Sequence, residues 1–228
     1  MPRSATQRVI APVASSTPRA IGPHTIEGVI ARTALSEVYL ARTPEGQKVC
    51  VKRLLPALIT QHPVAAMRFR REASLLAEID DPHVVRVLEV GTDDGVPYLC
   101  LEYVDGMTLR QLIAQGRCSL LDAIAILSQM AAALTHIHAK RIVHGDIKPE
   151  NTLIHRRDGR LHVTLVDFGL ANWAGDELAT SAGTLHYIAP EQSELLDWAV
   201  GPYSDLYSLG VVAFELLTTQ VPFDSPDP

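Results

Sequence analysis

The chain has 228 residues, of which 47% are apolar and 20% charged, so it is long enough to bury a globular core. A formal net charge of −6 excludes the general attraction to nucleic acid that clustered Lys and Arg provide. The strongest apolar run, 206–217, is interrupted by Ser208 and Glu215. Because a membrane helix needs about 18 or more apolar residues, we expect no membrane span.

The cysteines and the N-terminus indicate a compartment. Cys50, Cys100 and Cys118 are odd in number, scattered and without the spacing of metal ligands. Such a set is typical of buried thiols in a reducing compartment. The first residues include arginines but no apolar segment of the kind that a signal peptide carries. The sequence therefore predicts a cytoplasmic protein.

The N-terminal part of the chain predicts a leader followed by a small sheet. Residues 1–22 are rich in Pro, Ser and Thr without an apolar period, and we expect a disordered leader there. In the region 23–104, β-type runs alternate with turns, which predicts antiparallel hairpins, and one stretch has apolar residues at helical spacing. The predicted strands are 36–41, 49–53, 84–90 and 97–103, and the predicted helix is 63–79.

The pattern becomes helical after Gly106. Residues 121–138 carry apolar side chains on one face of a predicted helix, and residues 204–219 are apolar almost all round, which predicts a buried helix. Residues 105–228 are therefore expected to form a second, mainly helical lobe. The predicted class is α+β, with a small antiparallel lobe and a larger helical one.

Three short motifs stand in a telling order within the second lobe. They are HGDIKPEN at 144–151, DFG at 167–169 and APE at 189–191. Each alone arises readily by chance. Together with the upstream strand VCVK at 49–52 they match the signature set of protein kinases. From about 26 to 223 the chain resembles the eukaryotic-type serine/threonine protein kinase family, in the style of its bacterial members.

The resemblance implies a catalytic set. Asp146 would accept or orient the proton of the acceptor hydroxyl, and Asn151 and Asp167 would share a Mg²⁺ ion, which prefers such oxygen ligands. Lys52, paired with Glu72 on the following helix, would hold the α- and β-phosphates of ATP. The resemblance thus implies ATP and Mg²⁺ as cofactors.

Two further positions imply the acceptor class. Serine/threonine kinases have a Lys two residues after the catalytic Asp and a Gly-Thr pair before APE, as Lys148 and Thr184 are placed here. The implied partner is therefore a protein with a Ser or Thr acceptor. Other family positions would contact nucleotide or form an apolar column anchored on Asp205. The nucleotide set is Ile30, Ala31, Val38 and the backbone of Glu102 and Val104, and the column is Leu76, Val87, His144 and Phe168.

The chain departs from the family pattern at two places. The glycines of the phosphate-covering loop are replaced by Ala31, Thr33 and Ser36. Glycine lets backbone N–H groups approach phosphate closely, so looser nucleotide binding is expected. Gly145 stands where most members have an Arg that reads a phosphate on the activation segment.

These departures leave two other functions open. One is a pseudokinase, a scaffold that no longer transfers phosphate, and the other is the input module of a larger signalling protein. The resemblance ends soon after the helix at 204–219, so we expect a large lobe that is C-terminally incomplete. That leaves room for additional C-terminal signalling domains in the full-length protein.

Overall fold

The computed structural model of the chain describes residues 17–33, 35–61, 63–116, 118–168, 185–192 and 199–223. Two compact units are found. The sheet unit comprises the described residues up to 80 together with 85–104, and the helical unit comprises 81–84 and the described residues from 105 onward.

The sheet unit is a six-stranded antiparallel sheet with the order β1-β2-β3-β4-β6-β5. Helix α2 packs on β5 and β6. The predicted hairpin of β3 and β4 is confirmed, and Gly46 N–H closes its turn on the Thr43 carbonyl at 2.9 Å. The elements are β1 Ala20–Ile21, β2 His24–Arg32, β3 Ser36–Arg42, β4 Lys48–Leu54, α1 Pro56–Gln61, α2 Pro63–Ala77, β5 Val87–Asp93 and β6 Val96–Glu102.

Two boundaries of this unit differ from the sequence prediction. The prediction that the leader extends to residue 22 is wrong at its end, because β1 pairs with β2 and the Ile21 side chain is fully buried in the core. The predicted strand at 84–90 begins at Val87 instead. Val84 bridges to Leu165 in the helical unit, so it is withdrawn from the sheet.

A close contact in the sheet unit gives a stability prediction. A Cβ added at Gly91 would lie 2.3 Å from Cζ of the buried Tyr98 ring. We expect Gly91→Ala to lower the free energy of unfolding by about 1–3 kcal/mol, measured by urea titration, because the packed ring must move. Gly210→Ala is the matched control, since its Cβ would meet nothing within 4 Å and it lies inside a helix. Equal midpoints for both variants would contradict the packing argument.

The helical unit contains three helices and a three-stranded antiparallel sheet of order β7-β8-β9. Both long helices were predicted to within two residues at each end. Three 3₁₀ turns position the motifs, at Pro149–Asn151, Leu185–Tyr187 and Pro190–Gln192. The elements are β7 Met107–Thr108, α3 Leu109–Ala114, α4 Leu120–Ala139, β8 Thr152–Arg157, β9 Arg160–Leu165 and α5 Pro202–Thr218.

Helix α4 packs against β9 and α5. By length and composition it could also cross a membrane, a test that the core helix of a folded domain passes as well. Six of its residues are buried, so its apolar character has an explanation within the fold: Ala123, Ile126, Met130, Ala133, Leu134 and Ile137.

Helix α5 differs from the all-round burial that its composition predicts. Leu206 and Leu217 are each 55% exposed, and Phe214 is 44% exposed. The face turned into the unit instead includes polar residues, among them Asp205 and Glu215, which are 1% and 5% exposed. Buried polar groups require hydrogen-bond partners, and those partners build the site.

Candidate active site

The Asp146 carboxylate is fixed by two neighbours in the same motif. Lys148 Nζ donates to both of its oxygens, at 2.9 and 2.7 Å. Asn151 Nδ2 donates to Asp146 Oδ2 at 2.7 Å and to the Asp146 carbonyl at 2.9 Å. The 3₁₀ turn Pro149–Asn151 folds the chain back and so brings these three predicted residues together.

Asp205 holds the start of the motif from the first turn of α5. Its carboxylate accepts the backbone N–H groups of His144 and Gly145, each at 2.8 Å, and lies 2.7 Å from His138 Nε2. A buried carboxylate is stable only with such partners. The predicted anchor role of Asp205 therefore has direct contacts to the segment that carries Asp146.

Gly145 is held in a conformation that favours glycine. Its φ is +73°, in the left-handed region, although an added Cβ would meet nothing within 4 Å. Its N–H goes to Asp205, and its carbonyl accepts from Gln192 Nε2 at 2.9 Å. The backbone beside Asp146 is thus tied to α5 and to the turn Pro190–Gln192, which overlaps the APE motif.

His144 is buried and neutral. Its Nε2 donates to the Val166 carbonyl at 3.2 Å and its Nδ1 accepts the Asp146 N–H at 3.3 Å, which requires a single ring proton. The ring lies 4.4 Å from the Phe168 ring, centroid to centroid, so two members of the predicted column are in contact. Burial lowers the pKa of His144, although the carboxylates of Asp205, Asp146 and Asp167 oppose that shift.

This lowered pKa predicts a pH dependence. Below the ordinary histidine pKa of about 6.5 the unfolded chain binds a proton that the folded chain does not, so the free energy of unfolding falls as pH falls. His144→Phe keeps a flat ring and should reduce the loss of stability between about pH 7.5 and 5.5. The pKa of His155 is also lowered, mainly by burial and then by the nearby His162. Part of the dependence of stability on pH should therefore remain in the His144→Phe variant. Urea titrations of the unaltered chain and of His144→Phe across this pH range test the prediction. Parallel curves of unfolding free energy against pH for the two chains would contradict it.

The two residues expected to bind Mg²⁺, Asn151 and Asp167, lie on segments that are joined by a backbone hydrogen bond. Val166 N–H, just before Asp167, donates to the Asn151 carbonyl at 2.9 Å. Asp167 has φ +59°, which Asp tolerates better than most side chains. Because Asn151 gives its Nδ2 to Asp146, its Oδ1 is the oxygen that could face a cation. Within the described residues no three His, Cys, Asp or Glu side chains could hold a metal ion. The amide oxygen of Asn151 and the carboxylate of Asp167 are ligands that fit Mg²⁺, which takes most of its other ligands from water and phosphate.

The sheet unit carries the remaining predicted residues on its strands and on α2. Lys52 is 5% exposed in β4, opposite Val38 in β3, which in turn faces Ala31 in β2. The other residues are described by their place in the unit. Ile30 lies in β2, Glu72 is half-buried on α2, Glu102 ends β6 with its N–H bonded to the Arg86 carbonyl at 3.0 Å, and Val104 is buried.

The loop that lacks glycine is closed by its own side chain. Thr33 Oγ1 accepts the N–H groups of Leu35 and Ser36 at 3.2 and 3.0 Å. None of the described residues at 31–33 and 35–36 has a positive φ, so Ala31, Thr33 and Ser36 adopt backbone conformations that do not favour glycine. The Thr33 hydroxyl takes two N–H groups that a glycine loop would offer to phosphate.

Some residues predicted from the sequence lie outside the described ranges, and some contacts in the site were not predicted. Thr184 lies outside the described residues, as do Gly169 and Gly183. The contacts of His138, Gln192 and Arg110 were not predicted from the sequence. One signal was available: Ser208 and Glu215, noted only as interruptions of an apolar run, are buried side chains that need polar partners.

A sheet unit with one packed helix, a helical unit, and an Asp held by Lys and Asn of the same motif define the protein kinase class. The model of the protein kinase domain family matches residues 25–228, and the chain belongs to this family. The predicted family and the predicted α+β, two-lobed kinase-like fold are thereby confirmed.

The relatives are bacterial serine/threonine kinases. Serine/threonine-protein kinase PrkC of Bacillus subtilis is 36% identical over 211 residues, which cover 90% of this chain and 32% of that protein. Probable serine/threonine-protein kinase pknA2 of Bifidobacterium longum is 42% identical over 166 residues, covering 71% and 21%. The PknI kinase domain of Mycobacterium tuberculosis superposes with a TM-score of 0.72 at 26% identity, covering 95% of this chain and 80% of that one. The chain thus spans a third or less of these curated relatives' length.

Proposed function

We propose that the chain transfers the γ-phosphoryl group of Mg-ATP to a serine or threonine hydroxyl of a protein. The observation that carries this proposal is the Asp146 carboxylate, held at 2.7–2.9 Å by Lys148 and Asn151. Phosphoryl transfer needs little covalent chemistry from the protein and depends on groups held in fixed positions. The Asp146 carboxylate beside the Lys148 ammonium is such an arrangement.

Each residue of this group has a distinct role in the proposed reaction. Asp146 orients the acceptor hydroxyl and takes up its proton. Lys148 offsets the negative charge that gathers around the transferring group. Asn151 orients Asp146 through Nδ2, and its Oδ1 would hold Mg²⁺ together with Asp167. A bound Mg²⁺ ion would supply positive charge on the phosphate oxygens.

The nucleotide is proposed to use residues of the sheet unit. Lys52 would hold phosphate oxygens, with Glu72 as its charge partner. Three residues of the β-strands are proposed to make apolar contacts to the base and sugar: Ile30, Ala31 and Val38. The backbone groups of Glu102 and Val104 are proposed to make polar contacts to the nucleotide.

The acceptor class and the context of the chain complete the proposal. Lys148 and Thr184 match the serine/threonine pattern, and the curated relatives carry that name. We propose a protein acceptor, a cytoplasmic site of action and further signalling domains in the whole protein. The last point is supported by the relatives, which are much longer than this chain.

A second candidate is a scaffold that binds nucleotide without transferring phosphate. The observation that favours it is the Thr33 hydroxyl, which takes two N–H groups of the phosphate-covering turn. The intact set of Lys52, Asp146, Asn151 and Asp167 favours the enzyme, because a scaffold has no need for a base and two magnesium ligands.

Metal removal separates the two candidates. The purified chain is incubated with γ-labelled ATP and a generic protein acceptor, with Mg²⁺ and with an excess of EDTA. The enzyme predicts label on the acceptor only when Mg²⁺ is present, because the bound phosphates need the cation. ATP binding in a calorimetric titration, without label transfer under any metal condition, would instead support the scaffold.

A further inference from the structure

Arg110, in the first turn of α3, contacts three other segments of the helical unit. Its Nε donates to Glu150 Oε1 at 2.7 Å, in the 3₁₀ turn that carries Asn151. Its two terminal nitrogens donate to Glu215 in α5 and to the Tyr187 hydroxyl in the turn before APE. Glu215 is 105 residues away in sequence, so no local pattern reveals this contact.

Arg110, Glu215 and Tyr187 form a closed polar triangle. The Tyr187 hydroxyl accepts from Arg110 and donates to the second oxygen of Glu215 at 2.5 Å. Glu215 and Tyr187 are buried, at 5% and 3% exposure. Burial by itself lowers the pKa of Arg110, but its bonds to Glu150, Glu215 and Tyr187 raise it above the ordinary value. The guanidinium therefore stays charged and neutralises a buried carboxylate.

Arg110 connects two segments that contact the part of the chain around Asp146. On one side, Glu150 precedes Asn151, whose amide orients the Asp146 carboxylate. On the other side, Tyr187 lies in the segment 185–192, whose Gln192 holds the Gly145 carbonyl. Arg110 is thus linked to both ends of the segment from 145 to 151. It contacts Glu150 directly, and it reaches Gly145 indirectly through the segment 185–192.

The Arg110–Glu150 pair is a weak device for stability. The two side chains are 34% and 46% exposed, and exposed ion pairs contribute only about 0–1 kcal/mol. Its effect is geometric, because it fixes the turn that places Asn151. A flat guanidinium spreads its donors over three nitrogens in a fixed plane, whereas the three donors of an ammonium share one nitrogen, so the guanidinium reaches acceptors that lie further apart.

From these contacts we infer that Arg110 is a positioning residue of the proposed reaction. It holds the segment 145–151 in place with a built-in cation, in a chain whose Gly145 offers no side chain to read a phosphate. This inference rests on the proposed function, since positioning has meaning only for a reaction at Asp146.

The test compares Arg110→Ala, Arg110→Lys and the control Arg156→Ala, an exposed arginine that bonds only the Gly159 carbonyl across its own turn among the described contacts. We expect Arg110→Ala to lower kcat at least about tenfold while KM for ATP changes less than about twofold, because a misplaced group slows the chemical step. Arg110→Lys should be intermediate, and Arg156→Ala should match the unaltered chain.

Hydrogen exchange supplies a readout that does not depend on activity. The Asn151 N–H bonds the Lys148 carbonyl at 3.0 Å, and in Arg110→Ala it should exchange at least about tenfold faster while α4 amides keep their protection. If Arg110→Ala fails to fold, Glu150→Ala takes its place, since it leaves the buried triangle intact and should show the same local change.

The possible outcomes separate this inference from the proposed function. An unaltered chain without transfer refutes the proposed function, and the exchange data then decide whether Arg110 orders the segment. Unchanged exchange at Asn151 together with unchanged kcat overturns the inference. A loss of kcat that follows a general loss of α4 protection also overturns it, because Arg110 would then act on stability alone.

Discussion

Asp146→Asn should lower the rate of phosphate transfer by at least about 10²-fold, because the proposed base is lost and the charge beside the reacting group changes. Asparagine keeps the volume and one oxygen, so Asn151 retains an acceptor and the fold should persist. Asp167→Asn is expected to have a comparable effect, since it removes the charge that would hold Mg²⁺. Initial rates with labelled Mg-ATP and circular dichroism spectra give the comparison.

The matched control for these variants is Asp158→Asn. Asp158 is an exposed residue in the β8–β9 turn with φ +52°, a conformation that asparagine also tolerates. The same chemical change at this place should leave the rate unchanged. If Asp146→Asn kept full activity with an unaltered spectrum, Asp146 would have no part in the transfer.

Asp205→Ala should lower the free energy of unfolding of the helical unit by about 3 kcal/mol or more, because the N–H groups of His144 and Gly145 lose their buried acceptor. His138 Nε2 loses its partner as well. The loss of stability should come with a loss of activity, since the segment that begins at His144 carries Asp146.

Asp205→Asn serves as the graded comparison. An amide can offer one oxygen to these donors while its NH₂ group faces another donor, so the expected loss of stability lies between the unaltered chain and the alanine variant. Urea titration followed by exchange in α4 and α5 measures the effect. Two variants with the midpoint of the unaltered chain would show that Asp205 is not the anchor of this segment.

The features that the sequence predicted well are local. The β3–β4 hairpin follows from alternation around a turn, helix α4 follows from an apolar period of 3.6 residues, and helix α5 follows from a long stretch that is apolar almost all round. Asp146, Lys148 and Asn151 lie within six residues of one motif, so their meeting needs only one tight turn. The predicted kinase family rests on the same contiguous motifs.

The features that the sequence did not predict depend on contacts between distant residues. Ile21 enters the sheet because a hydrophobic cluster of other strands covers it, and a lone isoleucine after a Pro-rich stretch gives no periodic signal. Glu215 indicates a buried polar group in an apolar helix, but no local pattern shows that Arg110 is its partner until the fold places the two together. The sequence also did not predict the hairpin of β8 and β9. The charged residues that flank its turn, such as Arg157 and Arg160, hide the alternation of apolar and polar residues along the two strands.

The measurement that tests the proposed function most directly is phosphoamino acid analysis of an acceptor protein labelled by the purified chain from γ-labelled Mg-ATP. The Asp146→Asn chain, purified in the same way, is run beside it to exclude a contaminating kinase. We expect label in phosphoserine or phosphothreonine with the unaltered chain and a loss of nearly all label with the variant. Label only in phosphotyrosine, or equal label from both chains, would contradict it.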